Sequence, residues 1–336
     1  MAKFKIEEKV SLPLFEKIIK FTDFSEITMT KLKYFTVDVF TSKQFGGNQL
    51  AVVCLESRDQ ISTKKMQEIA KEFNYSETTF LLPTTDKTKF TANLRIFTIG
   101  MELPFAGHPN VGSAYVISKL AEDGNHLFGE TVNLIDGKVI FEETAGAVVC
   151  ELGENNEVTI KAPEPYKQNN ILKCENLVNI CAECLEIPES SIIGNPVFGG
   201  CGLDFLLVEV ASEKVLSECV SNPAAFKKYE TSLSPGVGIH VFWESDRNLT
   251  KFDYHARMFF PDLGMILEDP ATGSANCALV GHLGTSKRII VNEIQKISQG
   301  EYIGRPSCLN GQYLSGGGVK IGGEIVGVME GVLTLK

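Results

Sequence analysis

Three polar residues stand where chemistry could be done. Glu77 lies in SETTF, between hydroxyl residues and directly before the apolar TFLL, while His108 and Asp269 precede the prolines of GHPNVGSA and DPATGSA. A carboxyl beside apolar surface loses part of its hydration, which lifts its pKa toward neutrality, where a general acid/base works best. Taken alone, each has a plainer reading. Glu77 would be an exposed loop glutamate, His108 a surface residue or cap beside a turn, and Asp269 a helix cap stabilising its helix by ~1 kcal/mol. The glycine-rich context joins them. PNVGSA at 109–114 and PATGSA at 270–275 are both Pro-x-x-Gly-Ser-Ala opening an apolar helix, a match that predicts an internal duplication. Proline suits the first helical position, which makes His108 and Asp269 the expected N-caps. Gly112 and Gly273 would let backbone or ligand approach within the first turn. A helix N-terminus with free N–H groups is a ready carboxylate site, and two of them facing each other would share one cleft.

The elements that must hold these residues are mostly strands. YFTVDVFT and QLAVVCL read as a hairpin joined through GGN, and Ser62 as the cap of a helix with Met66, Ile69, Ala70 and Phe73 on one face. TTFLLP, TANLRIFT, ETVNLI and KVIFEET read as further strands. GHPNVGSAYVISKL, residues 107–120, is apolar or small around nearly its whole circumference, so it must be surrounded. Among strands, that means a central helix wrapped by a curved sheet. The second half repeats the arrangement, with GLDFLLVEV, GIHVFWE and HARMFFP as strands and TGSANCALVGHL as the buried helix. The expected fold is α+β, in two pseudo-symmetric lobes, each a mostly antiparallel barrel-like sheet around a central helix. The expected division is an extension at 1–32, read as an accessory helix or arm, a first lobe at 33–144, a second at 145–310, and C-terminal strands at 311–336.

Composition narrows the partners. The chain's 336 residues exceed one ordinary core, and 43% apolar content is ample for burial. The formal charge of −10 and the lack of a basic, aromatic-interleaved run argue against nucleic acid. An anionic substrate would then depend on local dipoles and backbone donors. Nine cysteines sit in apolar strings such as AVVC and ANCAL, a reduced and cytoplasmic pattern. Cys181 and Cys184 form C-x-x-C, flanked by Cys174 and Cys201, and read as structural thiols, so no metal is expected. No secretion signal, membrane span, G-x-G-x-x-G after a strand or phosphate-binding G-x-x-x-x-G-K is present, and no cofactor is expected.

VDVFTSKQFGGNQLAVV, MQEIAKEFNYSETTF, LRIFTIGMELPFAGHPNVGSAYV, ARMFFPDLGMILEDPATGSANCAL and QGEYIGRPS follow one another along residues 33–333. In this order they resemble the PhzF-like family of phenazine biosynthesis, within the diaminopimelate-epimerase-like fold. The resemblance implies a site in the crevice between two lobes, with the last strands, around GGEIVGVMEGVLTL, returning to the first. It implies Glu77 as general acid/base, with His108 and Asp269 around the substrate. It also implies removal of a proton from a carbon of a trans-2,3-dihydro-3-hydroxyanthranilate-like substrate and its return elsewhere on the conjugated system. Asn48, Ser76, Gly107, Gly112, Gly273 and Ser274 are the expected substrate-binding positions, the partner is a small carboxylate-bearing metabolite, and a homodimer is compatible with the resemblance. Gln49, Asn110 and Asn276-Cys277 stand where the family often has Pro, Thr and His-Gly, which leaves the substrate open. A two-thiol epimerase of the same fold would need a cysteine at each helix start, where the matching places hold Ala106 and Pro270. A non-catalytic binding or scaffold protein retaining the crevice is the other alternative.

Overall fold

The computed structural model describes residues 29–169, 176–233, 236–246, 248–262 and 264–336. The expected N-terminal helix or arm at 1–28 and Cys174 lie outside the described residues.

The first half runs β1 (Thr30–Val39), β2 (Asn48–Cys54), α1 (Thr63–Phe73), β3 (Glu77–Leu82), β4 (Ala92–Thr98), β5 (Glu102–Leu103) and α2 (Gly107–Glu122). It continues with β6 (His126–Leu127), β7 (Glu130–Thr131), β8 (Lys138–Glu143), β9 (Gly146–Leu152) and β10 (Glu157–Lys161). The second half holds β11 (Lys167–Gln168), α3 (Leu177–Leu185), β12 (Val197–Gly200), β13 (Asp204–Glu209), α4 (Glu213–Glu218), α5 (Pro223–Leu233), β14 (Ile239–Glu244) and β15 (Tyr254–Asp262). It ends with β16 (Met265–Asp269), α6 (Gly273–Thr285), β17 (Ile294–Gln299), β18 (Ser307–Tyr313) and β19 (Val319–Leu335).

Pairings β1–β2, β2–β3, β3–β4, β4–β8, β8–β9, β9–β10, β10–β19 and β19–β1 return to their starting strand, so they close a barrel. Closure leaves no sheet edge to pair with another chain. The helix α2 fills it: Val111, Ala114 and Ile117 are fully buried, and even the polar Asn110 and Ser113 are inside. That explains the sequence of α2, since a helix surrounded by sheet has no solvent face to make polar. Helix α6 is buried in the same way, with Ala275, Ala278, Leu279 and Val280 at the centre of the second sheet. The two helices and their sheets share one apolar cluster. Outside the barrel, α1 is capped by Ser62 Oγ, which accepts from Lys65 N at 3.2 Å, and its Met66, Ile69 and Ala70 pack on Phe80 and Phe97.

The second half repeats the order of pairings. In the first, β1–β2 is antiparallel, β2–β3 parallel, β3–β4 and β4–β5 antiparallel, β4–β8 parallel and β8–β9 antiparallel. In the second, β12–β13, β13–β14, β14–β15, β15–β16, β15–β17 and β17–β18 follow the same sequence of directions. No pairing closes the second sheet among the described residues.

Several expected boundaries move. Strand β1 begins at Thr30, inside the expected extension, where Thr30 pairs with Leu335 of the last strand. The division at 144/145 falls in the turn of the β8–β9 hairpin, and that at 310/311 falls within β18. The barrel needs β9, β10 and the end of β19 to close, so no short linker separates the halves there. ETVNLI is not a continuous strand: Glu130–Thr131 pairs with His126–Leu127 in a small separate sheet, and Ile135 makes an isolated bridge to Lys138. No described helix is long and apolar enough to cross a membrane.

Candidate active site

The two buried helices meet at their first residues. A Cβ built on Gly107 would stand 3.8 Å from Gly273 Cα and 3.9 Å from Ser274 N. A Cβ built on Gly273 would stand 3.9 Å from Gly107 Cα and 3.8 Å from His108 N. A methyl group would fit at either position at ordinary contact distance but would occupy the space between the helix starts. The first-turn N–H groups of both helices therefore gather at one place, as the paired-helix reading expected.

The register of the repeat is different from the one that Pro-x-x-Gly-Ser-Ala suggests. Helix α2 starts at Gly107, two residues before Pro109, whereas α6 starts at Gly273, three residues after Pro270. The facing glycines are thus Gly107 and Gly273, with Gly112 more than a turn further along. Gly112 is a packing residue, since a Cβ there would lie 2.6 Å from Leu50 Cδ2 and 2.8 Å from Val39 Cγ2. His108 and Asp269 are not N-caps. Ala106 and Thr272 hold those positions, and neither makes a side-chain cap bond. Pro109 is tolerated at the third helical position because the N–H it lacks would have had no partner within the helix. The residues directly before the facing glycines are therefore Ala106 and Thr272, not Ala106 and Pro270, and neither is a cysteine.

His108, the second residue of α2, is buried with its Nε2 3.4 Å from Glu77 Oε2 at the start of β3. Neither atom makes an aligned hydrogen bond to any described residue. Burial pushes the Glu77 carboxyl up to about 8, with the negative charge of Asp269 adding to the effect. Burial pulls His108 down to about 3, against a hydrogen bond that the ring donates to the Gln49 backbone and that favours its protonated form. Both shifts favour the uncharged forms, a carboxylic acid facing a neutral imidazole at 3.4 Å. A protonated carboxyl poised near neutrality can give a proton and take one back.

Asp269 ends β16, where burial raises its pKa while hydrogen bonds from Thr272 and Asn48 oppose the rise. Asn48 Nδ2 donates to Asp269 Oδ1 at 2.9 Å and to Ala271 O at 2.9 Å, and Thr272 Oγ1 donates to Asp269 Oδ2. The amide nitrogen of Asn48 thus holds Asp269 across the two halves, while its Oδ1 has no hydrogen-bond partner among the described residues. Gln299 completes the support: its Nε2 donates to Asp269 O at 2.8 Å and to Thr272 Oγ1 at 3.1 Å. Arg305 fixes the loop that carries Asn48, donating to Gly47 O at 3.0 Å, Gly46 O at 2.6 Å and Asp38 Oδ1 at 2.6 Å.

The phenazine biosynthesis-like protein family matches residues 37–331. The chain belongs to this family. A trans-2,3-dihydro-3-hydroxyanthranilate isomerase of Pseudomonas aeruginosa is 32% identical over 278 residues, covering 82% of this chain and 88% of its own. An uncharacterized isomerase of Pasteurella multocida is 30% identical over 301 residues, covering 89% and 93%. Among solved structures, a PhzF-family phenazine biosynthesis protein of Bacillus anthracis superposes with a TM-score of 0.74 at 21% identity, over 90% of this chain and 99% of that one.

In this phenazine biosynthesis-like protein a pocket of about 430 Å³ opens against the facing glycines. Gly107, Gly273 and Ser274 line its polar end, and Leu103, Phe105, Ile160 and Cys277 contribute apolar wall. Glu77, His108 and Asp269 do not line this pocket, which borders the cluster only through the helix starts, and a larger cavity of about 600 Å³ between α5 and the β15–β16 hairpin is lined by none of the helix-start residues. Ser76 is exposed immediately before Glu77. Cys277 is the fifth residue of α6, buried but on the pocket wall. Cys181 and Cys184 are buried in α3, away from the site, and no disulfide joins the described cysteines. Sequence reasoning did not pick out Thr272 or Gln299. The available signal was the QGEYIGRPS segment, whose first and fifth-from-last residues turn out to be Gln299 and Gly304's neighbour Ile303, with Arg305 close behind.

Proposed function

We propose that the protein is an isomerase that moves a proton between carbons of a small carboxylate-bearing substrate, with Glu77 as the shuttle. The observation that carries the reading is the buried Glu77 carboxyl, facing His108 where the two helix starts meet. The free N–H groups of the first turns, at Gly107, Gly273 and Ser274, would hold the substrate carboxylate or the charge that develops on it. The pocket beyond them takes the apolar body. The Glu77 carboxylate removes a proton from one carbon and, as the acid, returns it to another, while His108 faces the same oxygen and the charge of Asp269 favours the protonated form of Glu77. The cycle restores Glu77 and transfers no electrons, so it calls for no redox cofactor. The family match and the isomerase names of the relatives support this class of reaction.

The matching order of strand pairings supports a reading of the chain as a duplicated unit, giving two pseudo-symmetric lobes with the site between them. In that correspondence Gly107 matches Gly273, and Asp269 has its counterpart at Leu103, four residues before the other glycine. The duplicated frame would thus carry one set of catalytic groups.

The test is turnover of trans-2,3-dihydro-3-hydroxyanthranilate and a panel of related unsaturated carboxylates in deuterated water, followed by NMR. Wild-type product should acquire deuterium at the carbon that receives the proton. Glu77→Gln keeps the size but cannot cycle its proton, so turnover and exchange should fall together by at least ~10²-fold. Equal turnover by the two proteins on any accepted substrate would remove Glu77 from the shuttle role.

A further inference from the structure

The turn that follows β17, at 299–305, touches the supports of Asp269 from several sides. Gln299 Oε1 accepts from Thr272 N at 3.2 Å and from Asn276 Nδ2 at 2.7 Å, while its Nε2 holds Asp269 O. Gly300 follows with a left-handed φ of 77°, and a Cβ there would lie 2.5 Å from Pro270 O and 2.4 Å from Arg305 O. The turn is therefore pressed against the residue directly after Asp269. Glu301–Ile303 forms one 3-10 turn, in which the Tyr302 ring lies 5.0 Å from the Arg257 guanidinium. Arg257 in turn donates to both oxygens of Glu268, the residue directly before Asp269, at 2.9 and 2.7 Å. At the far end Arg305 reaches the loop that carries Asn48.

The turn holds itself weakly. Its inner backbone bonds, Ile303 N to Gly300 O and Gly304 N to Glu301 O, are both 3.3 Å, longer than the usual ~2.9–3.0 Å, and only the closing bond from Arg305 N to Gly300 O is ordinary at 3.0 Å. A firmer hold comes from the neighbouring strand. Strand β15 runs parallel to β17 and sets His255 beside Ser298. The buried His255 ring is flanked by Trp243 and Phe252, with centroids 5.5 and 5.4 Å away, and its Nδ1 stands 3.1 Å from Glu301 Oε2. An ionised carboxylate only accepts, so Nδ1 carries the proton of this bond. The bond also holds the Glu301 carboxyl below its ordinary pKa, against the effect of burial.

We propose that His255 and Glu301 are positioning residues, whose hydrogen bond anchors the turn at 299–305 and thereby sets Asp269 in place against Glu77. Neither residue lines the pocket at the helix starts. Their effect passes through the turn, from Glu301 to Gln299 and Gly300 and from these to Asp269, Pro270 and Thr272. The charge of Asp269 is one of the two causes that raise the Glu77 carboxyl, so a slackened turn is legible in how Glu77 titrates.

The inference rests on Asp269 acting on Glu77, as the reaction assigned above does, but its test needs no turnover. The reporter is the His108 ring, 3.4 Å from Glu77, followed by NMR across pH, and the transition that belongs to Glu77 is the one missing from Glu77→Gln. Glu301 is about a third exposed, at 34%, so its substitutions leave the core intact. Glu301→Ala removes the acceptor, and the midpoint should fall from about 8 toward 4.5. Glu301→Gln keeps an oxygen for Nδ1–H and should stay near wild type. On the other side of the bond, His255→Asn retains a donor nitrogen and should also stay, whereas His255→Leu should fall with Glu301→Ala, and the double variant of Leu and Ala should fall no further than either alone. An unmoved midpoint in Glu301→Ala would overturn the proposal, because a residue that only stabilises the fold would change the melt and leave Glu77 alone. Equal falls in Glu301→Ala and Glu301→Gln would overturn it as well, since the charge of Glu301 and not its bond would then be acting. Failure of deuterium to enter product in the turnover assay would count against the assigned reaction while leaving these midpoints where they are.

Discussion

At the residue scale, function and stability pull on Glu77 in opposite directions. Its folded pKa of about 8 stands above the ordinary 4.5, so between those values the folded protein binds a proton that the unfolded chain has released. Stability contributed by this group is complete below about 4.5, falls as pH rises through the window, and is lost above 8. Glu77→Gln removes that penalty. Denaturant melts should therefore find the variant more stable than wild type at pH 9, on the order of a few kcal/mol, with a much smaller difference at pH 5. A constant difference across that range would mean that Glu77 titrates at its ordinary value. The catalytic profile has the opposite slope. Only the carboxylate can start by removing a proton, so kcat/KM should climb about tenfold per unit below pH 8 and level above it. The types of residue at this site were legible in the sequence. Glu77 beside TFLL announced desolvation, while its meeting with His108 needed residues 31 positions apart to be folded together.

At the element scale, the two glycines of the apparent repeat should behave differently. A Cβ at Gly273 meets Phe40 Cζ at 3.6 Å and His108 N at 3.8 Å, ordinary contact distances that the fold can accept. Gly273→Ala should therefore melt near wild type yet weaken binding of small carboxylates, because its methyl group occupies space between the helix starts. Gly112→Ala drives a methyl into Leu50, Val39 and Val37, and overpacking of this kind costs about 1–3 kcal/mol. Thermal melts and ligand titrations of the two variants would separate these effects. Equal loss of stability would show that Gly273 is also a packing residue. Periodicity identified both central helices correctly, because helices enclosed on all sides must be apolar on all sides. The proline and cap cues, by contrast, put the caps at His108 and Asp269, whereas the helices start at Gly107 and Gly273 with Ala106 and Thr272 before them.

At the scale of the whole molecule, the site is held by contacts between distant stretches of chain. Arg305 and Asp38 are 267 residues apart, and both side chains are largely buried, at 19% and 4% exposure. Arg305→Ala leaves a buried carboxylate without its cation, so it should destabilise the protein by roughly 3–5 kcal/mol. Adding Asp38→Asn removes the stranded charge and should recover a good part of that loss in a double-mutant cycle. Simple additivity of the two substitutions would show that the pair is not coupled.

What the sequence determined by itself was local: which segments are strands, which two helices are enclosed, and which three polar groups could do proton chemistry. Such features follow from neighbours a few positions apart, where apolar periodicity and turn residues act directly on the backbone. The tertiary structure decided the rest. It closed the first barrel by laying β19 along β1, made Gly107 rather than Gly112 the partner of Gly273, and set the Asn48 amide nitrogen as a brace for Asp269. It also brought in Gln299, whose part depends on a strand end meeting a helix start. None of these is visible locally, because each is set by contacts between segments far apart in the chain, and by the dry surroundings that those contacts create.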